Sequence, residues 1–333
     1  MTDSPRPLPP PPPTLVGRSG LELGRYHGAI VAPRLEVHGM GRFRLKEWHY
    51  LSVVTDEWFF ALGLVQLGYA AQLFAYVVDR RAAMPPRIET ELLSPFGRAL
   101  RMAESSVRGT TRFERGANHV ELVCDDGIEA DLSLALGKER LDGRFRIEPS
   151  PGLAMVAALG PGRPAYTHKA AGMRAEGELR LGSRAILSSG MSGFAVSDFT
   201  RSLADRHTHW KWASFAGERE GRRIGLNLSA DVYDDASGDS LENALFVGDD
   251  TIPLSGVRFT LPDDPRTQPW QIESRSGDEV DLRFMPLGAR AQDLHLGLLR
   301  TRFVQPYGTF HGRVRDHRVD GAFGVVEDHD SLW

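Results

Sequence analysis

Short segments in which apolar and polar residues alternate, each closed by a turn cluster, constrain this chain more than any other feature. Over residues 223–232, Ile224, Leu226, Leu228 and Ala230 fall on one face, the period-2 pattern of a half-buried strand. Strand-like segments of the same kind lie at 41–50, 119–124, 131–136, 256–261, 279–284 and 302–314. Turn clusters such as Cys124-Asp-Asp-Gly, Gly248-Asp-Asp-Thr and Pro262-Asp-Asp-Pro separate them. Short strands at this spacing belong to barrels or sandwiches. The 35 glycines and 21 prolines agree with a turn-rich, all-β chain. Residues 199–206 are the one stretch that reads as a short helix.

Residues 58–78 carry no charge and are long enough to span a bilayer. They also hold Gln66, Gln72, Tyr69 and two glycines, and Gln66-Leu67-Gly68-Tyr69 reads as a turn. The sequence therefore favours a buried hairpin, 58–65 against 70–78, with a membrane span and a core helix as the alternatives.

Lysine and arginine total 40 against 44 aspartates and glutamates, a net charge of −4 with no like-charged run. A nucleic-acid binder would show a concentrated basic face, so nucleic acid is not expected as a partner. The single cysteine, Cys124, excludes an intrachain disulfide and a multi-thiolate zinc site. With no secretory signal at the start, it places the protein in the cytoplasm, without stable membrane insertion. Residues 1–14 are proline-rich and read as a disordered arm. The Gly/Pro-rich stretch at 159–164 is the expected junction between two units, 15–160 and 161–333.

The chemistry concentrates in Arg206-His-Thr-His-Trp-Lys-Trp-Ala-Ser214. On an extended strand His207, His209 and Lys211 share one face, and Thr208, Trp210 and Trp212 the other. Two histidines two residues apart suit a transition metal, but Lys211 beside them opposes a cation and no third ligand is evident, so no metal is expected. The alternatives are an indole-lined ligand cavity, with His207, His209 and Asp198 as acid–base groups, and an ordinary core strand. Trp48 and Tyr50 in Lys46-Glu-Trp-His-Tyr50, and Glu242 with Asn243, are the remaining candidates for ligand contact, beside Trp210, Lys211 and Trp212. In Gly324-Val-Val-Glu-Asp-His329, Glu327 and Asp328 point opposite ways on a strand and cannot act as a pair. A polar strand end competes there with acid–base work. Phosphate-loop, dinucleotide, His-Glu-x-x-His and Gly-x-Ser-x-Gly motifs are absent, so no cofactor is expected.

Several of these motifs together resemble one bacterial family, the domain of unknown function numbered 2804. They are Lys46-Glu-Trp-His-Tyr50, Asp56, Phe74-Ala-Tyr-Val-Val-Asp79, His168-Lys169, Trp210-Lys-Trp-Ala-Ser214, Ile224-Gly-Leu-Asn-Leu228, Glu242-Asn-Ala244, Gln305-Pro-Tyr-Gly308 and Val326-Glu-Asp-His329. The resemblance runs in order from about residue 15 to Trp333, and brings no activity with it. More distantly, the layout is similar to the carotenoid 1,2-hydratases and tocopherol cyclases, built from two lipocalin-like barrels. That similarity implies two antiparallel barrels in tandem holding a hydrophobic, lipid- or isoprenoid-like small molecule in a barrel cavity. Cofactor-independent hydration, cyclisation or isomerisation would follow, and a non-catalytic carrier or stress-protective protein is the alternative.

Overall fold

Leu45–Val54 (β1), Trp58–Gln66 (β2) and Ala70–Asp79 (β3) form an antiparallel meander. The uncharged stretch is thus the expected hairpin, and Gly68 takes φ 83° at its turn. Its lack of charge has a simple cause. Trp58, Phe60, Leu62 and Leu64 enter one core, while Phe59 and Ala61 on the opposite face enter another. A strand buried on both faces reads as a continuous apolar run. Among the described residues, no helix is long and apolar enough to cross a membrane.

The structure is a computed structural model that describes residues 7–37, 39–82, 87–235, 237–297 and 299–333. Most of the described chain is antiparallel β-structure, nearly all of it in two large sheets. In the first, β1–β3 join Arg87–Pro95 (β4), Pro164–Leu181 (β5) and Gly193–Leu203 (β6) in the order β4-β3-β2-β1-β6-β5. It continues through Glu139–Ile147, Ile128–Leu136, Asn118–Cys124 and Gly109–Arg115. The sheet curls until β4 packs against Ile128–Leu136, a nearly closed barrel around Leu62, Leu73, Phe113, Leu132 and Phe145. The second sheet holds His207–Arg219 (β7), Arg222–Ala230 (β8), Val280–Leu296 (β9), Leu299–Val314 (β10) and His317–Leu332 (β11), in the order β8-β7-β11-β10-β9. It curls as a half-barrel around Phe215, Leu226, Trp270, Leu282 and Phe310. The all-β architecture, one nearly closed barrel followed by one half-barrel, agrees with the barrels that the alternation and turn spacing imply.

Two local readings change. Residues 199–203 belong to strand β6, where Phe199 pairs with His49 and His168, so the expected short helix is absent there. The chain crosses between sheets at residues 204–206, after β6. The 159–164 stretch is instead a tight turn inside the first sheet, joining Leu153–Ala158 to β5, with Leu159 N donating to Arg163 O at 2.9 Å. Glycine and proline mark a turn without telling which elements it joins. Of the expected N-terminal arm, residues 1–6 lie outside the described residues. Further along it, Leu8 packs against the body and Pro9 O accepts a hydrogen bond from His27 N at 2.9 Å.

The sheets meet through a third apolar layer that includes Tyr50, Phe59 and Tyr76 from the first and Trp212, Phe246, Tyr307 and Phe323 from the second. Their backbones come close together at Gly172 and Gly225. A Cβ on Gly225 would overlap Ala171, and Gly172, at φ 81°, faces the Ile224 backbone. Two glycines are what permit that approach.

Candidate functional site

A cavity of about 550 Å³ lies between the two sheets, within the range that holds small organic ligands. The expected location was inside a barrel, but aliphatic and aromatic side chains fill the curled interior of each sheet. Two facing rows of residues form the cavity. On the first sheet, Asp198, Tyr50, Gly63, Phe74 and Glu91 are successive cross-strand neighbours over β6, β1, β2, β3 and β4. On the second, Ser229, Trp212 and Glu327 are neighbours over β8, β7 and β11, and Gln305 and Arg290 over β10 and β9. Gln305 Nε2 joins the two groups by donating to Glu327 Oε2 at 2.6 Å. Three strand spacings, about 14 Å along the sheet, separate Asp198 from Phe74, and Glu91 lies one strand further on, beyond the lining.

One end of the slot is acidic. Lys169 Nζ lies 2.6 Å from Asp198 Oδ2 and 3.3 Å from Glu242 Oε1. Thr200 Oγ1 donates to Asp198 Oδ1 at 3.0 Å, and Ser229 Oγ to Glu242 Oε2 at 3.0 Å. Burial works against the charge on Lys169, but Asp198 and Glu242 outweigh it and raise the ammonium above its ordinary value. Burial raises the Glu242 carboxyl in spite of Lys169, favouring its neutral acid form. The Tyr50 hydroxyl is pushed up by burial as well. It sits among Ser52, Tyr76, Glu327 and Asp198 without a well-formed hydrogen bond to any of them. Burial thus favours the protonated form of both Glu242 and Tyr50 at this end.

Along one wall, rings stack in series. The Trp48 and Trp210 centroids are 5.7 Å apart, Trp210 and His329 3.9 Å, and His329 and Phe303 5.4 Å. Arg290 follows, between Phe303 and Phe74. Glu327 Oε1 accepts from Trp210 Nε1 at 2.9 Å, which with Gln305 fixes the carboxylate toward the cavity. His329 Nδ1 lies 3.3 Å from Glu327 Oε1, and its Nε2 2.7 Å from Ser331 Oγ.

Of the residues singled out from the sequence, Asp198, Trp210, Trp212, Trp48, Tyr50 and Glu242 line this cavity. His207, His209 and Lys211 do not. They occupy the opposite face of β7, where His207 Nε2 meets Asp330, His209 bridges Asp231 and Asp328, and Lys211 meets Asp231. Pleating is the reason: a strand that turns Trp210 and Trp212 inward must turn its odd-numbered neighbours outward. Asn243 braces backbone instead, accepting from Ser229 N at 2.7 Å and donating to Ser255 O at 3.0 Å.

Lys169 and Arg290 were not among the candidates. The signal for Lys169 is a charge followed directly by Ala170-Ala-Gly-Met173 in a strand otherwise fit for burial. For Glu327 and His329 it is their two-residue spacing, which places both on the face opposite Asp328.

The chain's likeness to solved structures is one of layout. It is similar to the kievitone hydratase of Nectria haematococca, with a TM-score of 0.47 and 11% identity, covering 94% of this chain and 97% of that one. It is also similar to CghA in complex with Sch210972, with a TM-score of 0.42 and 9% identity over 93% and 97% of the two chains. No curated protein matches the sequence. A family model described as Domain of unknown function (DUF2804) matches residues 18–333.

Proposed function

The chain belongs to the DUF2804 family, and on that premise we propose that it binds a hydrophobic small molecule in the slot between its sheets and acts on it by acid–base chemistry without a cofactor. The observation that carries this reading is the buried Lys169–Asp198–Glu242 cluster facing an indole-walled cavity. Lys169 balances Asp198, and burial favours the acid form of Glu242, from which a proton can pass to an unsaturated carbon. Glu327, held by Trp210 and Gln305, stands ready to face the positive charge that results or to take a proton from a neighbouring carbon. Addition of water completes a hydration, ring closure a cyclisation, and proton loss an isomerisation. A cytoplasmic setting belongs to the same reading.

Incubating the protein with an apolar metabolite extract in heavy water tests it, because protonation at carbon writes solvent deuterium into the product. Deuterium incorporation that disappears in Glu242→Gln is the expected result. Retention of an extracted molecule with no incorporation selects the alternative, a carrier that uses the same slot without chemistry.

A further inference from the structure

The end of the slot opposite Asp198 is cationic. Arg290 is 5% exposed, and its guanidinium lies 4.1 Å from the Phe74 centroid and 4.5 Å from that of Phe303. Both rings pack against the group. One Nη donates to Glu91 Oε2 at 2.9 Å, and Gln292 Nε2 holds the other Glu91 oxygen at 3.0 Å. Glu91 itself is 32% exposed and stands at the rim. A guanidinium carries five N–H donors in a fixed fork. Among the described residues Glu91 is the one acceptor that Arg290 meets, while its side chain lines the cavity.

A buried, pre-oriented arginine with donors left over matches a planar carboxylate. The far end of the slot suits that carboxylate less well, since Lys169 is already held there by Asp198 and Glu242, and Glu327 adds a further carboxyl group. Resting on the reading of the slot as an apolar ligand site, we infer that its ligand is an apolar carboxylic acid, with the carboxylate on Arg290 and the hydrocarbon body along the stacked wall toward Glu242. Arg290 is then the specificity-determining residue. It also fixes which end of the molecule reaches the proton donors.

cis-Parinaric acid and its methyl ester share one fluorescent chain and differ in charge, so they serve as the probe pair. In fluorescence titrations of the full chain at about pH 8, where a free carboxyl is ionised, the acid is expected to bind about tenfold more tightly than the ester. Arg290→Met should abolish the preference, so that the acid binds no more tightly than the ester measured on the same variant. Glu91→Gln, which removes the competing carboxylate and keeps the cation, should widen the preference for the acid. Equal binding of acid and ester by the native chain, or no gain in Glu91→Gln, overturns the carboxylate assignment and leaves the slot reading standing. Failure of both probes to bind the native chain overturns both.

Discussion

Lys169 and Asp198 face each other directly across β5 and β6, with Nζ and Oδ2 2.6 Å apart and both side chains less than a tenth exposed. Lys169→Met would leave Asp198 and Glu242 buried beside each other without a counter-charge. Removing one partner of such a pair costs about 3–5 kcal/mol, which urea unfolding would read as a lower midpoint. Lys169→Met combined with Asp198→Asn and Glu242→Gln should recover much of that loss, because no uncompensated charge then remains. A single variant as stable as the native chain would contradict the cluster.

On the proposed function, the two faces of β7 separate binding from support. Trp210→Ala removes an indole from the stacked wall and a donor from Glu327, and should weaken retention of any apolar probe. His207→Ala and His209→Ala act on the outer face and should leave retention unchanged. Probe titrations on the three variants decide the matter. A loss of affinity in His209→Ala equal to that in Trp210→Ala would place the site on the wrong face.

His209 Nδ1 lies 3.2 Å from Asp231 and Nε2 2.9 Å from Asp328, with Lys211 beside them. Hydrogen bonds donated to Asp231 and then to Asp328 raise the imidazolium to about 9, above the unfolded value of ~6.5. Because the folded value is the higher, the stabilisation is complete below ~6.5 and is lost as pH rises through the folded value. The side chain is 35% exposed, and solvent screening keeps the contribution to about 1 kcal/mol. Stability of the native chain minus that of His209→Gln should fall toward zero between about pH 6 and about pH 10. A difference constant over that range would contradict the bridge.

Gly63 sits at the middle of the first row, and a Cβ there would overlap the Phe74 ring. Gly63→Ala should therefore push Phe74 off Arg290, at a cost of about 1–3 kcal/mol. Acid-probe affinity should fall with it, as titration would show. Unchanged stability and affinity would mean that Phe74 does not define the slot.

Much of the fold was legible because strand pleating is written directly into sequence. Ile224, Leu226 and Leu228 announce one buried face, and the uncharged 58–78 stretch is a hairpin buried on both. Connectivity was harder. The glycines and prolines at 159–164 make a turn inside a sheet, while the true crossing at 204–206 carries no such mark. The site was legible in half. Indoles at Trp210 and Trp212 pointed to the cavity, but the same alternation excludes His207, His209 and Lys211 from it. Arg290 could not be found from sequence, since its partners Glu91, Phe74 and Phe303 come together only when the two sheets pack.

Native mass spectrometry of the freshly purified chain tests the ligand-binding slot most directly. The account predicts a population heavier than the bare chain by one small apolar molecule, lost on organic extraction and absent from Trp210→Ala. A native chain found only at its bare mass, and unchanged after incubation with the parinaric probes, would contradict it.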